Sequence, residues 1–167
     1  MEIECNSADK TQKFAFEFSK TIEMGSIISL NGDLGAGKTT FAQGFAQGLG
    51  VKQHVGSPTF KLVSEYYGEK MKLFHVDCYR LSGIEDFLNM GGENLLLPKS
   101  GVCLFEWASI IEGVLPDNTI IIDKIRVASS PLVKIFLVTD GRTENQTPNI
   151  SRAKILAIRS SGSLERT

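Results

Sequence analysis

Hydrophobic positions early in the chain recur at helical spacing. Between residues 7 and 24, the apolar residues Phe14, Phe18 and Ile22 lie four positions apart, which predicts a first helix. Ser7 and Asp9 are both available as its N-cap, and Gly25 is available to end it. A second helix is predicted from Lys38 to Leu49, because apolar residues again fall on one face.

Short apolar runs between these helices and after them predict strands. The runs are SIISL, FKLVSEYY, KLFHVDCYRL, VCLFE, TIIIDKIRV and LVKIFLV. The second and third are separated by a plausible turn at residues 68–70 and predict a hairpin, whereas IEDFLNMGGENLLLP predicts short helical turns. Strands that alternate with helices early and follow one another late indicate an α/β fold, a mixed sheet with helices packed on it.

The length and composition are those of a single globular domain. A chain of 167 residues with 42% hydrophobic and 22% charged residues is long enough to bury one core. We assign residues 1–140 to the folded domain and residues 141–167 to a C-terminal tail, either an amphipathic helix or a disordered end. The tail carries five Arg or Lys against two Glu, while the whole chain has a net charge of -1. The basic tail is interpreted as a solubilising terminus, with an RNA or partner contact as the alternative.

Cysteine usage and the first residues predict a cytoplasmic protein. Cys5, Cys78 and Cys103 are odd in number, widely spaced and without a C-x-x-C pair, so neither a disulfide framework nor a zinc site is indicated. The start, MEIECNSADK, lacks the basic and apolar regions of a signal peptide, and no apolar run is long enough for a membrane span. We expect no membrane or DNA partner.

The stretch NGDLGAGKTTFAQG lies between a predicted strand and a predicted helix and satisfies G-x-x-x-x-G-K-[ST]. Glycines allow backbone N-H groups to converge on phosphate oxygens, and the first turn of the helix adds unpaired N-H groups. A lysine then reaches the outer phosphates, and a hydroxyl contacts Mg²⁺. Gly32, Gly37, Lys38 and Thr39 occupy the fixed positions of this pattern. Because the base-reading motif N-K-x-D is absent from any plausible position, ATP is preferred over GTP.

The glycine-rich turn described above has the pattern of a P-loop, which needs an acid at the end of a neighbouring strand. Two further predicted strands end in a carboxylate. Asp77 follows LFHV and Glu106 follows VCLF, so one would orient Mg²⁺ and the other the attacking water. The alternative interpretation of each acid is structural, as a strand-end carboxylate that caps a loop. His75 is interpreted as structural or catalytic, and Arg80 as a partner of phosphate or of a carboxylate.

The segment VGSPTF places two hydroxyls around a proline just before a strand. Pro58 restricts Ser57 to extended dihedrals, so Ser57 and Thr59 would form a loop that senses Mg²⁺ or the third phosphate. Trp107, next to Glu106, would stack on a base or fill the core.

Four elements in this order resemble the TsaE family, the small ATPases of tRNA threonylcarbamoyladenosine (t6A) biosynthesis. They are GDLGAGKTT, SPTF, the H-x-D-x-Y-R of residues 75–80, and Glu106 with Trp107. The resemblance extends from the first helix to about Leu115. It implies a P-loop NTPase fold and a Mg²⁺-dependent ATPase that acts on a TsaB-TsaD type complex. That complex modifies adenosine 37 of tRNA, so the protein would meet tRNA only indirectly and would not perform the transfer itself.

The resemblance also implies roles for individual residues. Thr39 and Glu106 would hold Mg²⁺, and Asp77 would be the Walker B-like acid and a further metal ligand. The residues that would wrap the phosphates are Asp33, Leu34, Gly35, Ala36, Gly37, Lys38, Thr39 and Thr40. Lys38, Asp77 and Glu106 are the predicted catalytic residues, and Thr11 would lie near the base or sugar. The nucleotide contacts include Ser57, Thr59, His75, Arg80 and Trp107. This chain has Ala108 and Ser109 where many members have an acid after Glu-Trp, so that role is absent or moved to Glu112.

Two other functions are compatible with a P-loop. A small-metabolite kinase would need an Arg-rich lid, and no Arg occurs between Leu81 and Ser109. A nucleotide-dependent scaffold without useful hydrolysis is not separated by the sequence from a slow ATPase.

Overall fold

A seven-stranded mixed sheet organises the protein. The computed structural model describes residues 2–126 and 133–138, so the predicted tail at 141–167 lies outside the described residues. The strands are β1 (Glu2–Cys5), β2 (Ile27–Gly32), β3 (Val63–Tyr67), β4 (Lys72–Asp77), β5 (Gly101–Glu106), β6 (Ile120–Arg126) and β7 (Val133–Val138). Their order across the sheet is β1-β7-β6-β2-β5-β4-β3. The predicted mixed α/β sheet is confirmed.

The four central strands run parallel, and the outer ones are antiparallel to their neighbours. Strand β2 pairs with β5 on one side and with β6 on the other, and β4 pairs with β5, all in parallel. Strands β1, β3 and β7 form antiparallel pairs. Parallel neighbours bring their carboxyl ends to one edge of the sheet, where ligands bind in folds of this class.

Two helices cover one face of the sheet. Helix α1 (Ala8–Ser19) begins at the N-cap Ser7, whose side chain accepts a hydrogen bond from the Lys10 N-H, and α2 is Lys38–Gly48. Between them lie four phenylalanines with ring centroids 5.8 to 6.2 Å apart: Phe14, Phe18, Phe41 and Phe45. A Cβ on Gly44 would collide with the Gln12 backbone, so the absence of a side chain there permits this close helix contact.

A second core lies on the opposite face. There helix α3 (Ile84–Asn89) and two 3₁₀ segments, Gly92–Leu96 and Ala108–Val114, pack on the sheet. Phe87 and Phe105 meet edge to face at 5.9 Å, and both are fully buried. Since every residue of β5 is buried, this strand supports both cores.

The element boundaries differ from the predicted ones in identifiable ways. Strand β1 was not predicted, because its polar residues mask the two buried positions Ile3 and Cys5. Helix α1 ends at Ser19 because the next N-H groups bond three residues back, as Thr21 does to Phe18 O.

Strand β3 begins at Val63, three residues later than predicted. Lys61 N and Leu62 N both donate to Pro58 O, at 2.8 and 2.7 Å, so the chain turns there. Leu62 adopts a left-handed conformation with φ 63°. No helix among the described ranges is long and apolar enough to cross a membrane.

Candidate functional site

The glycine-rich stretch forms the turn from β2 to α2 at the carboxyl edge of the sheet. Gly37 is the N-cap of α2 and has φ 81°, a left-handed conformation that favours glycine. Among the residues that the structure describes, no side chain forms a capping hydrogen bond at this end of the helix. Its first N-H groups are therefore available to an anion, and the positive end of the helix dipole faces the same space.

The ammonium of Lys38 folds back over this turn. Its Nζ donates to Gly32 O at 2.5 Å and to Asp33 O at 2.9 Å, and it lies 3.7 Å from the centre of the Trp107 ring. Burial lowers the pKa of Lys38, while the nearby carboxylates Glu106, Asp77 and Asp33 oppose the shift. A cation is thus held where phosphate charge would arrive.

Glu106 connects the P-loop to the neighbouring strands. It ends β5, in register with Leu30 of β2, and Thr39 Oγ1 donates to its Oε1 at 3.1 Å. On its other side, His75 Nε2 lies 2.9 Å from the same oxygen. The other ring nitrogen of His75, Nδ1, is buried and has no hydrogen-bond partner within the part of the chain that the structure describes.

Asp77 connects β4 to the segment that contains the S-P-T motif. Its Oδ2 accepts from Ser57 Oγ at 2.9 Å and from Thr59 Oγ1 at 2.5 Å, and its Oδ1 accepts from Tyr79 N at 3.0 Å. Asp77 and Glu106 are directly paired in register and are 2% and 3% exposed. The two acids therefore lie side by side, but Glu106 bonds to the P-loop and Asp77 bonds to the S-P-T loop.

These elements enclose a cleft of about 460 Å³. Its lining residues are Leu34, Gly35, Gly37, Lys38, Thr39, Thr40, Ser57, Thr59, Asp77, Tyr79, Glu106 and Trp107. All but Tyr79 were predicted as site residues. The structure thus brings the P-loop, both acids and the S-P-T loop to one cavity.

Five predicted site residues do not line the cleft. Ala36 is fully buried, the Asp33 side chain is exposed, and Thr11 is buried in α1. His75 is 0% exposed and reaches the cleft only through Glu106. Arg80 is exposed, with its guanidinium 4.6 Å from the centre of the Phe60 ring. Direct nucleotide contact by these five side chains stays a prediction.

Sequence reasoning missed two residues of the site. Tyr79 lines the cleft, and its ring lies 5.1 Å from that of Trp107. Lys124 of β6 donates from Nζ to Gly37 O at 2.5 Å, beneath the loop. Tyr79 falls within the H-x-D-x-Y-R motif, so the motif could have indicated it as a site residue. Lys124 is a lone lysine in an apolar strand, and no sequence pattern indicates a role for it in the site.

A parallel sheet with a glycine-rich turn from strand to helix, and acids at the adjacent strand ends, defines a P-loop NTPase fold. The sequence matches the family described as "Threonylcarbamoyl adenosine biosynthesis protein TsaE" over residues 5–131. The chain belongs to this family of t6A biosynthesis proteins, as the motif resemblance predicted.

Individual relatives agree with the family match. The tRNA threonylcarbamoyladenosine biosynthesis protein TsaE of Treponema pallidum is 38% identical over 122 residues, 73% of this chain and 89% of the relative. The protein of the same name from Bacillus subtilis is 39% identical over 128 residues, 77% of this chain and 79% of the relative. A crystal structure of Bacillus subtilis YdiB has a TM-score of 0.70 at 29% identity and covers 96% of this chain and 95% of that one.

Proposed function

We propose that this protein is a Mg²⁺-dependent ATPase that acts on a TsaB-TsaD type complex during t6A37 modification of tRNA. The observation that carries the proposal is the hydrogen-bonded arrangement of the cleft. Thr39 of the P-loop bonds to Glu106, and the S-P-T loop bonds to Asp77 beside it. A ligand between these groups would alter both loops together.

Phosphate binding is proposed for the turn and the start of α2. The open N-H groups at the N-terminus of α2 and the ammonium of Lys38 supply donors and positive charge in a partly enclosed cleft. Lys38 now bonds to two loop carbonyls, which a phosphate oxygen would supplement or replace. The phosphate tail would therefore lie between Lys38 and the strand-end acids.

The donor set beside this turn fits Mg²⁺. Magnesium in nucleotide sites takes one or two carboxylates, phosphate oxygens and several waters, rather than a cage made only by protein. Within the described residues, no cluster of three or more His, Cys, Asp or Glu could hold a metal by itself. Thr39, Asp77 and Glu106 would hold the ion together with ATP, and the bound ion would neutralise phosphate charge.

The two acids are proposed to have separate roles. Glu106 is held between Thr39 and His75, so its carboxylate is fixed beside the P-loop hydroxyl. Asp77 accepts two hydroxyls and a backbone N-H, which orients it toward the S-P-T loop. Glu106 would therefore orient the metal and its waters, and Asp77 would couple that centre to the loop.

Communication with the partner is proposed for the rim of the cleft. Phe60 follows the S-P-T motif and is 88% exposed, and Arg80 lies against its ring. Both residues continue segments that bond to or contain Asp77. A change at Asp77 would therefore move the exposed ring of Phe60 and the exposed guanidinium of Arg80, to which a protein partner would bind. A cytoplasmic location, where such a complex meets tRNA, is part of this proposal.

Reconstitution with the partner complex tests the proposal. ATP turnover and t6A formation are measured with and without purified TsaB-TsaD, using the wild-type chain, Lys38→Ala and the exposed-lysine control Lys52→Ala. We expect both activities to require the wild-type or control chain and to be lost with Lys38→Ala. Full t6A cycling without this protein, or with Lys38→Ala, would contradict the proposal. Unchanged turnover in both Asp77→Ala and Glu106→Ala would favour the scaffold instead.

A further inference from the structure

A second lysine lies beneath the phosphate-binding turn. Lys124 of β6 is 1% exposed, and its Nζ donates to Gly37 O at 2.5 Å. Its backbone pairs with Gly32, the residue at which β2 ends and the turn begins. Lys124 therefore contacts the turn at both ends, with its backbone at Gly32 and its side chain at Gly37.

Two hydrogen bonds to Gly37 O, one of them from Lys124, hold the orientation of one peptide group. This oxygen also accepts from Phe41 N at 3.0 Å, as the N-cap carbonyl of a helix does. In a trans peptide the C=O and the following N-H point in opposite directions. Since Gly37 O points along α2 toward Phe41 N and Lys124 Nζ, the N-H of Lys38 points the opposite way, out of the N-terminal end of α2.

We propose that Lys124 is a positioning residue for the phosphate tail of the nucleotide. Together with Phe41 N, it holds the Gly37-Lys38 peptide group with the N-H available to a phosphate oxygen, and it adds positive charge from beneath the turn. This inference rests on the proposed nucleotide binding and adds a residue to it. It is distinct from the role of Lys38, whose ammonium lies on the cleft side of the same turn.

Lys124 is an unusual residue to bury for structural reasons alone. Among the described residues, no carboxylate forms an ion pair with its ammonium, and its only hydrogen bond is to Gly37 O. Gly37 O would keep the bond from Phe41 N if the lysine were removed. The fold therefore does not depend on this ammonium to satisfy a buried acceptor.

The protonation of Lys124 should depend on whether an anion is bound in the cleft. The charged or titratable groups that face it are Cys5 of β1, Glu106 of β5 and Lys38 of α2. Burial lowers the pKa of Lys124 from 10.5 to about 8. A nearby triphosphate favours the charged form, so nucleotide affinity should be constant below about pH 8 and fall as the pH rises above it.

The experiment measures ADP affinity in the presence of Mg²⁺ by titration calorimetry, from pH 7 to pH 9.5. It compares wild type, Lys124→Met and the exposed control Lys52→Met. At pH 7 we expect Lys124→Met to bind about tenfold more weakly, because a positive charge beneath the phosphate-binding turn is lost, and Lys52→Met to bind as wild type. Above pH 8 the wild type should lose more affinity than Lys124→Met, because the variant has no Lys124 ammonium that could lose its charge in this range.

Three outcomes would count against the inference. Equal affinity and equal pH profiles in wild type and Lys124→Met would overturn the positioning role while leaving nucleotide binding intact. Failure of Lys124→Met to fold would also overturn it, since the lysine would then be structural. If the wild type itself bound no nucleotide, the proposed function would be contradicted, and the inference that rests on it would be overturned with it.

Discussion

Replacing Lys124 with methionine is expected to stabilise the folded chain at neutral pH while weakening nucleotide binding. Methionine has a similar length and no charge, so it fills the space beneath the turn without the cost of burying an ammonium. Lys124 is 1% exposed, and its pKa falls from 10.5 to about 8 in the folded protein. Each pKa unit corresponds to about 1.4 kcal/mol, so the buried charge costs about 3 kcal/mol at pH 7. Loss of this charged hydrogen bond to Gly37 O offsets about 1.5 kcal/mol, leaving a net gain of about 1.5 kcal/mol.

The sign of the pH dependence follows from the lowered pKa. Below pH 8 the lysine is protonated in both the folded and the unfolded chain, and the full cost applies. Between pH 8 and 10.5 the folded chain releases the proton while the unfolded chain keeps it, so wild-type stability rises with pH. By pH 9 the wild type should have recovered about 1.4 kcal/mol, and the advantage of Lys124→Met should shrink by that amount.

Urea unfolding at pH 7, 8 and 9 measures these free energies by linear extrapolation. Burial also raises the pKa of Cys5, Cys78 and Cys103, and these thiols remain in both chains, so the difference between the chains is the quantity to follow. The exposed control Lys52→Met should lie within about 0.5 kcal/mol of wild type. A destabilised Lys124→Met at pH 7, or a difference that does not change with pH, would refute the reasoning.

Three further substitutions test the packing and the site. Gly44→Ala should lower the free energy of unfolding by about 1 to 3 kcal/mol, because its Cβ meets the Gln12 backbone. The control Gly83→Ala, whose Cβ would meet no described atom within 4 Å, should change this free energy little. Equal effects of the two substitutions would contradict the tight helix contact. Phe18→Ala should cost about 3 to 5 kcal/mol, measured by the same unfolding, and a cost below 1 kcal/mol would contradict its place in the core. Glu106→Gln should reduce partner-stimulated ATP turnover by at least about 100-fold while retaining ADP binding, and unchanged turnover would exclude the proposed role.

Local sequence signals predicted much of the fold and of the cleft. The strand-to-helix turn at Gly37, the second helix from Lys38 and the strand-end positions of Asp77 and Glu106 all follow from short patterns. The pairing of the two acids required more than local information. It depends on β5 lying between β2 and β4, an order that sequence periodicity does not specify.

Other features were hidden because their sequence signal points elsewhere. Strand β1 has only four residues, two of them acidic, so its buried Ile3 and Cys5 read as part of a polar terminus. A lysine within TIIIDKIRV suggests a solvent-facing position, yet the Lys124 side chain lies on the face that packs against the P-loop. The sequence permits either a structural or a catalytic role for His75, and only the folded sheet places it against Glu106.

The most direct test of the central claim is the binding of ATP to the purified chain. Titration calorimetry with and without Mg²⁺ gives the stoichiometry and the affinity for wild type, Lys38→Ala and Lys52→Ala. We expect one ATP per chain, tighter binding with Mg²⁺, and at least about 100-fold weaker binding in Lys38→Ala, because a charged donor to phosphate is lost. No saturable ATP binding by wild type, or equal binding by Lys38→Ala, would contradict the account.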